Sequence, residues 1–268
     1  MTENMNFVHP GAKIGKNVVI SPFTTIAEHV EIGDDCWIGP NVTIFDYIRI
    51  GRGCKIFPGA VLGAVPQDLK FQGEVTWAEI GDNTTVREFA TVHRGTAASG
   101  KGLTHVGQDC LLMAYTHVAH DCRVGDHCII SSMSAMGGEV DIDDWAIVGG
   151  GTVIHQFCHI GAHAMVGGGY RINKDIPPYT LCGREPICYI GVNIVGLRRR
   201  GYDSDVIRNI KDIYDTIYYQ GNNITDGCAR VEAGFPPSEE KDIILDFIRN
   251  SRRGVVRAGD IRDKGSDW

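Results

Sequence analysis

The sequence is short of the features that mark exported, membrane-spanning and nucleic-acid-binding proteins. Its nine cysteines are odd in number and form no CxxC pair, so a disulfide framework is not indicated and a reducing cytoplasm fits better. No stretch approaches the roughly 18 consecutive apolar residues that a membrane-spanning helix needs. The 33 acidic residues outnumber the 26 basic ones, for a net charge of −7, which argues against a broad nucleic-acid-binding surface.

The first residues also lack an export signal, because Met1 to Phe7 contain neither a basic region nor an apolar run. We therefore expect an unexported, cytoplasmic protein. Proline is scarce, at 10 residues, and the 34 glycines follow no three-residue period, which excludes collagen. Hydrophobic residues make up 43% of the 268, enough to bury a sizeable core.

A six-residue repeat organises most of the chain. Aliphatic side chains occupy every sixth position, in one phase as far as Val92 and in a second phase from Val106. These anchor positions are Val8, Ile14, Ile20, Ile26, Ile32, Ile38, Ile44, Ile50, Ile56, Leu62, Ile80, Val86, Val92, Val106, Leu112, Val118, Val124, Ile130, Met136, Ile142, Val148, Ile154, Ile160, Val166 and Ile172. A period of six is typical of a β-solenoid, in which short strands joined by tight turns each point one aliphatic residue inward.

Three hexads complete one triangular coil, so residues about 18 positions apart are expected to stack at the strand spacing of about 4.8 Å. Two stretches interrupt the repeat, at residues 63–73 and 93–102. The second stretch shifts the phase by two residues and must bulge out of the coil. Loops on a rigid scaffold often carry binding groups.

The repeat is expected to stop at Ile176, because the prolines at 177 and 178 cannot continue a strand ladder. Helical spacing then predicts one helix with Ser204 as its N-cap and Gly221 as its stop, and a second from Ser238 to about Ser251. We therefore predict an all-β solenoid over residues 1–190 and a helical domain over residues 191–268.

Most cysteines fill one small-residue position of the hexad, so we interpret them as core residues rather than as redox or metal groups. Eight of the ten histidines fall between residues 93 and 163. The stacking rule places Gly138 above His120, Gln156 above Gly138, and Glu139 above Asp121. One column thus offers an imidazole base and a glycine N–H for an oxyanion, which suits acyl transfer to a hydroxyl. The alternative is a solvated solenoid face with incidental histidines.

Five segments make the sequence resemble the UDP-N-acetylglucosamine O-acyltransferase family of lipid A biosynthesis, over roughly residues 7–255. They are Pro66-Gln67-Asp68-Leu69-Lys70, Thr91-Val92-His93-Arg94-Gly95-Thr96, His117-Val118-Ala119-His120-Asp121-Cys122, His155-Gln156-Phe157, and Gly191-Val192-Asn193 with Gly196-Leu197-Arg198-Arg199-Arg200-Gly201.

The resemblance implies a left-handed parallel β-helix of hexapeptide repeats with a C-terminal α-helical domain. It implies a cytoplasmic homotrimer with active sites between subunits. Such an enzyme moves an R-3-hydroxyacyl chain from acyl carrier protein to the 3-hydroxyl of UDP-N-acetylglucosamine, the first step of lipid A biosynthesis. The family uses no metal or diffusible cofactor, binds no nucleic acid and does not insert into the membrane.

Residue by residue, the resemblance makes His120 the general base, Asp121 its support and Gly138 the oxyanion donor. It assigns substrate binding to Gln67, Asp68, Lys70, His93, His117, Glu139, Gln156, Gly168, Asn193 and Arg199. Within that set, Asp68 with Gln67 and Lys70 would hold the sugar and the acyl donor. The pocket would be completed across the subunit boundary by His93, His117 and Gln156, and the nucleotide and its phosphates would be met by Asn193 and Arg199.

Two positions depart from the better-known members, which have a histidine in place of Glu139 and a glutamate in place of Val195. The acceptor is therefore less defined than the reaction, and a 3-amino sugar stays an alternative. Gly168 matches a position that limits acyl length in the family. A glycine leaves room there, so we expect a chain of about fourteen carbons or more.

Three other classes remain open. A zinc hydratase would use His93, His117 and His120 as metal ligands. A related transferase would use acetyl coenzyme A or acylate a sugar amine, although the N-acyltransferase of this pathway carries an extra N-terminal domain for which we expect no room before Val8. A non-catalytic scaffold is the third, since a solenoid fold alone does not define a function.

Overall fold

The hexapeptide repeat folds into very short β-strands, most of them two residues long. The structure is a computed structural model and describes residues 5–221 and 223–259. Over these residues the chain forms 27 strands and four helices, numbered here in chain order. Each strand pairs with one in the next coil, so the strands build three long sheets that enclose a triangular core.

The three sheets are described by their strands. The first sheet contains β1 Phe7–Val8, β4 Thr25–Ile26, β7 Thr43–Ile44, β10 Val61–Ala64, β13 Thr91–His93, β16 His117–Val118, β19 Ala135–Met136, β22 Val153–Ile154 and β25 Arg171–Ile172. The second contains β2 Lys13–Ile14, β5 Val30–Ile32, β8 Ile48–Ile50, β11 Trp77–Ile80, β14 Leu103–Val106, β17 Arg123–Val124, β20 Asp141–Ile142 and β23 His159–Ile160. The third contains β3 Val19–Ile20, β6 Trp37–Ile38, β9 Lys55–Ile56, β12 Thr85–Val86, β15 Leu111–Leu112, β18 Ile129–Ile130, β21 Ile147–Val148, β24 Met165–Val166, β26 Thr180–Gly183 and β27 Cys188–Val192.

The aliphatic anchors form the core, as the period predicted. From Ile26 onward every anchor is buried, whereas Val8, Ile14 and Ile20, in the first coil that the structure describes, are half-buried. The cysteines that follow the anchors are also buried and free, which agrees with their interpretation as small core residues.

The two insertions lengthen single coils and leave the sheets continuous. In an ordinary coil three hexads separate the paired residues, as they separate Ile32 from its partner Ile50. Ile50 in turn pairs with Ile80, and Ile80 pairs with Val106, so both of these coils are longer. The first insertion adds two whole hexads, and the second adds one hexad and two residues, which produces the expected change of phase.

Both insertions leave the solenoid at the corner where the first sheet meets the second. The first connects β10 with β11, and the second connects β13 with β14. We call them the first loop, residues 65–76, and the second loop, residues 94–102. Later coils turn the same corner at Asp121 and Glu139, both in the left-handed backbone conformation that a tight turn requires.

The solenoid continues further than its prolines suggested. The expected stop at Ile176 is wrong, because β26 still pairs in parallel with β24, although Met165 and its partner Leu181 are closer in sequence than a full coil of three hexads. The chain reaches this extra rung by passing Pro177 and Pro178 outside any strand. The antiparallel strand β27 then covers β26.

Four helices follow, α1 Ile194–Arg199, α2 Ser204–Tyr219, α3 Ile224–Gly234 and α4 Glu239–Asn250. The helix expected from Ser204 is present, but its N-cap is Asp203. The helix expected from Ser238 to about Ser251 is present as α4, and Ser238 is its N-cap, since its side chain accepts a hydrogen bond from the Lys241 N–H. The periodicity missed α1 and α3. Strand β27 spans residue 190, and the division into 1–190 and 191–268 stays a prediction.

Candidate active site

The histidine cluster lies on the corner between the first and second sheets, beside both loops. His120 and Asp121 form the turn between β16 and β17. Their side chains lie together: His120 Nδ1 is 2.8 Å from Asp121 Oδ2. The Asp121 side chain is fully buried and that of His120 is 17% exposed. A carboxylate accepts hydrogen bonds only, so Nδ1 is the donor, and in the neutral ring Nε2 is left as an acceptor.

Gly138 lies directly against this imidazole, in the next coil. The N–H of Glu139 donates to the carbonyl of His120, which sets the stacking that the 18-residue rule predicted. A Cβ built on Gly138 would be 2.5 Å from His120 Nε2, so only glycine leaves room for the ring in this position. The Gly138 N–H has no hydrogen-bond partner within the part of the chain that the structure describes.

The second loop folds over Asp121, a contact that sequence reasoning missed. The N–H and hydroxyl of Thr96 donate to the carboxylate at 2.8 to 3.1 Å, and the Ser99 hydroxyl lies 2.7 Å from Oδ1. Thr104 Oγ1 accepts the Asp121 N–H at 2.7 Å. These donors satisfy a buried anion that would otherwise be costly.

Two more histidines lie beside His120. The rings of His93 and His117 meet edge to face with centroids 4.8 Å apart, and His117 Nδ1 is 2.7 Å from the Thr91 hydroxyl. Burial, and then the neighbouring His117 and His120, lowers the pKa of His93 to about 4. Burial and His120 likewise lower the pKa of His117. Among the residues that the structure describes, His93 Nδ1 is buried without a hydrogen-bond partner, so this ring has an unused nitrogen.

The first loop reaches the same corner. Asp68 Oδ1 accepts the N–H of Lys70, and Gln67 and Lys70 are exposed. The loop is tied to the second loop because Glu74 Oε1 accepts the N–H of Ala97 at 2.9 Å. The guanidinium of Arg94 also lies between the rings of Tyr47 and Phe71, 5.0 and 5.4 Å from their centroids. The loops are therefore packed together beside the histidines.

The remaining predicted residues of this corner lie further up the column. Gln156 is exposed and stacks on the Gly137–Gly138 pair, since a Cβ on Gly137 would be 2.9 Å from its backbone nitrogen. Glu139 lines a small groove with Lys101 and Phe157. Gly168 does not lie at this corner: it is exposed at the corner between β24 of the third sheet and β25 of the first, over the carbonyl of Gly150.

The structure of one chain does not bring Asn193 and Arg199 to this corner. Asn193 caps α1 through the Gly196 N–H and donates to the carbonyl of His163. His163 turns the corner between the second and third sheets, a different corner from that of His120. Arg199 is exposed in the last turn of α1.

No three histidine, cysteine or acidic side chains are grouped to hold a metal within residues 5–221 and 223–259. None of the helices in the same part of the chain is long and apolar enough to cross a membrane.

A hexapeptide solenoid with a histidine–carboxylate corner defines a class, the hexapeptide-repeat transferases. The bacterial transferase hexapeptide model matches residues 11–46, 29–64 and 103–138. Residues 175–256 match the model described as UDP N-acetylglucosamine O-acyltransferase, domain 2.

The curated relatives carry a matching name. The acyl-[acyl-carrier-protein]–UDP-N-acetylglucosamine O-acyltransferase of Paracidovorax citrulli is 49% identical over 93% of this chain and 97% of its own. That of Halorhodospira halophila is 43% identical over 93% of this chain and 96% of its own. A solved UDP-N-acetylglucosamine acyltransferase from Bacteroides fragilis superimposes with a TM-score of 0.93 at 52% identity, covering 96% of this chain and 100% of that one.

The chain belongs to the UDP-N-acetylglucosamine O-acyltransferase family. The expected fold, a left-handed parallel β-helix with a helical C-terminal part, is confirmed. The predicted class, a hexapeptide-repeat acyltransferase, is confirmed with it.

Proposed function

We propose that this protein transfers an R-3-hydroxyacyl chain from acyl carrier protein to the 3-hydroxyl of UDP-N-acetylglucosamine, the first step of lipid A biosynthesis. The names of its relatives support the donor and acceptor classes. The observation that carries the chemistry is the stack of His120 on Gly138, with Asp121 hydrogen-bonded to Nδ1 of the imidazole.

The reaction starts at His120 Nε2, which takes the proton of the sugar hydroxyl as that oxygen attacks the thioester carbonyl. Asp121 stabilises the imidazolium that forms, because its carboxylate accepts the Nδ1–H. The tetrahedral intermediate then collapses, its C–S bond breaks, and the imidazolium returns the proton to the leaving thiolate of the carrier. An O-acyl sugar and a free thiol are the products.

The Gly138 N–H is the proposed donor to the oxyanion of that intermediate. It has no hydrogen-bond partner within the described residues, and it belongs to the residue against which the base is packed. A preorganised backbone donor of this kind contributes about 100- to 1000-fold to the rate of acyl transfer.

The first loop and the neutral histidines are the proposed substrate contacts. Gln67, Asp68 and Lys70 lie on the loop that packs beside the corner. His93 and His117 offer hydrogen bonds without adding positive charge beside the base, since the pKa of each is lowered. Gln156 would complete the pocket at the next coil. Glu139 borders the same corner, which keeps a 3-amino acceptor as an alternative to test.

Asn193 and Arg199 would bind the nucleotide of a neighbouring subunit's site. They lie near a different corner from His120, so they reach an active site only if copies of the chain pack side by side. A homotrimer provides this arrangement. A single-chain mass in sedimentation equilibrium, together with full activity, would contradict it.

Gly168 lies at the corner between the third and first sheets, is exposed and has no side chain to block an acyl chain. We therefore propose a donor chain of about fourteen carbons or more. Competition among donors of different length measures this directly, and a preference for chains of about ten carbons would contradict it.

The test is acyl transfer from 3-hydroxyacyl carrier protein to UDP-N-acetylglucosamine and to its 3-amino analogue, with products identified by mass spectrometry. His120→Ala should lower kcat by at least about 100-fold. His105→Ala is the matched control, because His105 is a half-exposed histidine on the second sheet beside Glu79. Parent activity in His120→Ala would refute the proposed base, and absence of an acylated sugar with either acceptor would refute the function.

A further inference from the structure

The second loop makes its closest polar contacts with one buried side chain, the carboxylate of Asp121. Both oxygens of that carboxylate are occupied from the loop side: Oδ1 by the Thr96 N–H and the Ser99 hydroxyl, and Oδ2 by the Thr96 hydroxyl. The opposite side of Oδ2 meets His120 Nδ1 at 2.8 Å.

The loop is shaped to make this approach. A Cβ on Gly95 would lie 2.7 Å from Asp121 Oδ1 and 2.3 Å from the backbone nitrogen of Leu103, so a glycine is needed where the loop passes the carboxylate. The loop closes on itself because the Gly102 N–H donates to the carbonyl of Thr96, with Gly102 in the left-handed conformation. The Lys101 N–H donates to Ser99 Oγ, which turns the hydroxyl proton away from the loop.

Ser99 Oγ has two acceptors within reach, Asp121 Oδ1 at 2.7 Å and the carbonyl of Thr96 at 3.0 Å. A hydroxyl has one proton, and the shorter contact to an anion is the stronger bond. The Ser99 proton is therefore directed to Asp121.

We propose that Thr96 and Ser99 are positioning residues of the acyl transfer, which hold the Asp121 carboxylate in the orientation that aligns the His120 imidazole. Neither side chain is placed to touch a reacting atom, because Asp121 lies between them and the imidazole. This inference rests on the proposed function and adds the loop as part of its machinery.

Two consequences distinguish positioning from a merely structural role. Without its hydrogen-bond donors the Asp121 carboxylate is a stronger base and stabilises the protonated His120 ring more strongly. The acid limb of the pH profile of kcat therefore moves to higher pH. The other charged or titratable groups around this pair include His93, His117, Cys122, Glu139, Asp141 and Lys101, whose Nζ lies 3.4 Å from the Asp121 carbonyl, and none of them is changed in these variants. KM for the sugar should stay near its parent value, since no substrate contact is removed.

The experiment compares Ser99→Ala and Thr96→Val with the conservative variants Ser99→Thr and Thr96→Ser, which keep a hydroxyl. Each alanine or valine variant should lose about 10-fold in kcat, with the acid limb shifted upward. The conservative variants should recover most of the parent kcat and most of the parent position of the acid limb. Thr25→Ala, an exposed threonine in β4 at the far end of the first sheet, is the control. Circular dichroism and the unfolding midpoint verify that each variant is folded.

A second readout needs no substrate. The proton on His120 Nδ1 should give a downfield NMR signal that moves in Ser99→Ala and returns in Ser99→Thr. His120→Ala is assayed in parallel, so failure of the base is seen separately from failure of the loop. If His120→Ala is inactive while Ser99→Ala and Thr96→Val keep the parent kcat and pH profile, the positioning role is wrong. A loss of kcat in folded variants without any movement of the acid limb or the NMR signal would also overturn it.

Discussion

Replacing Gly138 by alanine should displace the proposed base without touching it chemically. The new Cβ would lie 2.4 Å from Cε1 and 2.5 Å from Nε2 of His120. An ordinary carbon contact needs about 3.5 Å, so the imidazole must move by about 1 Å. The ring cannot do this and keep its present 2.8 Å bond to Asp121.

A misplacement of about 1 Å in a reacting group costs about 100-fold in rate, or about 2.7 kcal/mol. We expect this loss in kcat for Gly138→Ala. Stability should suffer less, by about 1 to 2 kcal/mol, because the obstacle is a partly exposed ring that can rotate outward and Gly138 does not have a positive φ. Gly234→Ala is the control, since its Cβ would meet no atom within 4 Å.

The double variant shows where the effect acts. Alanine keeps the backbone N–H of residue 138, so the oxyanion donor remains and the loss must come through the ring. In a His120→Ala background, Gly138→Ala should therefore change kcat by less than about 3-fold. Parent kcat in the single variant, or a full 100-fold loss in the background without the ring, would refute this reasoning.

Two further outcomes are expected. His93 and His163 are each held neutral, with a pKa lowered to about 4 mainly by burial, whereas the unfolded chain takes up these protons near pH 6.5. The free energy of unfolding should therefore fall as the pH drops from about 6.5 to about 4, and His163→Gln should flatten that dependence in denaturant titrations. Ile130→Ala, at a fully buried anchor, should cost about 2 to 5 kcal/mol by the same measurement, and a change below 1 kcal/mol would contradict the inward role of the anchors.

The repeat made the solenoid predictable because each hexad supplies the same local instruction. An aliphatic anchor, a small residue and a turn recur, so the fold follows from one unit and the stacking rule. The same rule placed Gly138 above His120 before any coordinates. The helical part has no such redundancy. Helix α1 has only six residues and α3 contains an internal glycine, Gly227, so neither gives a clear amphipathic pattern.

The contacts of Asp121 with Thr96 and Ser99 show where a periodic argument stops. They span 25 and 22 residues, and neither separation is that of an ordinary coil. Insertions that differ by six residues produce the same change in the phase of the repeat. A phase shift of two therefore fits an insertion of two residues as well as one of eight, and the sequence does not define the sheet to which Val106 belongs. Once the pairing of Val92 with Val118 defines the length of this coil, Gly95 is the residue that stacks beneath Asp121. The residues stacked above His120 thus follow from the repeat spacing, whereas the residues stacked beneath Asp121 depend on the length of the second loop.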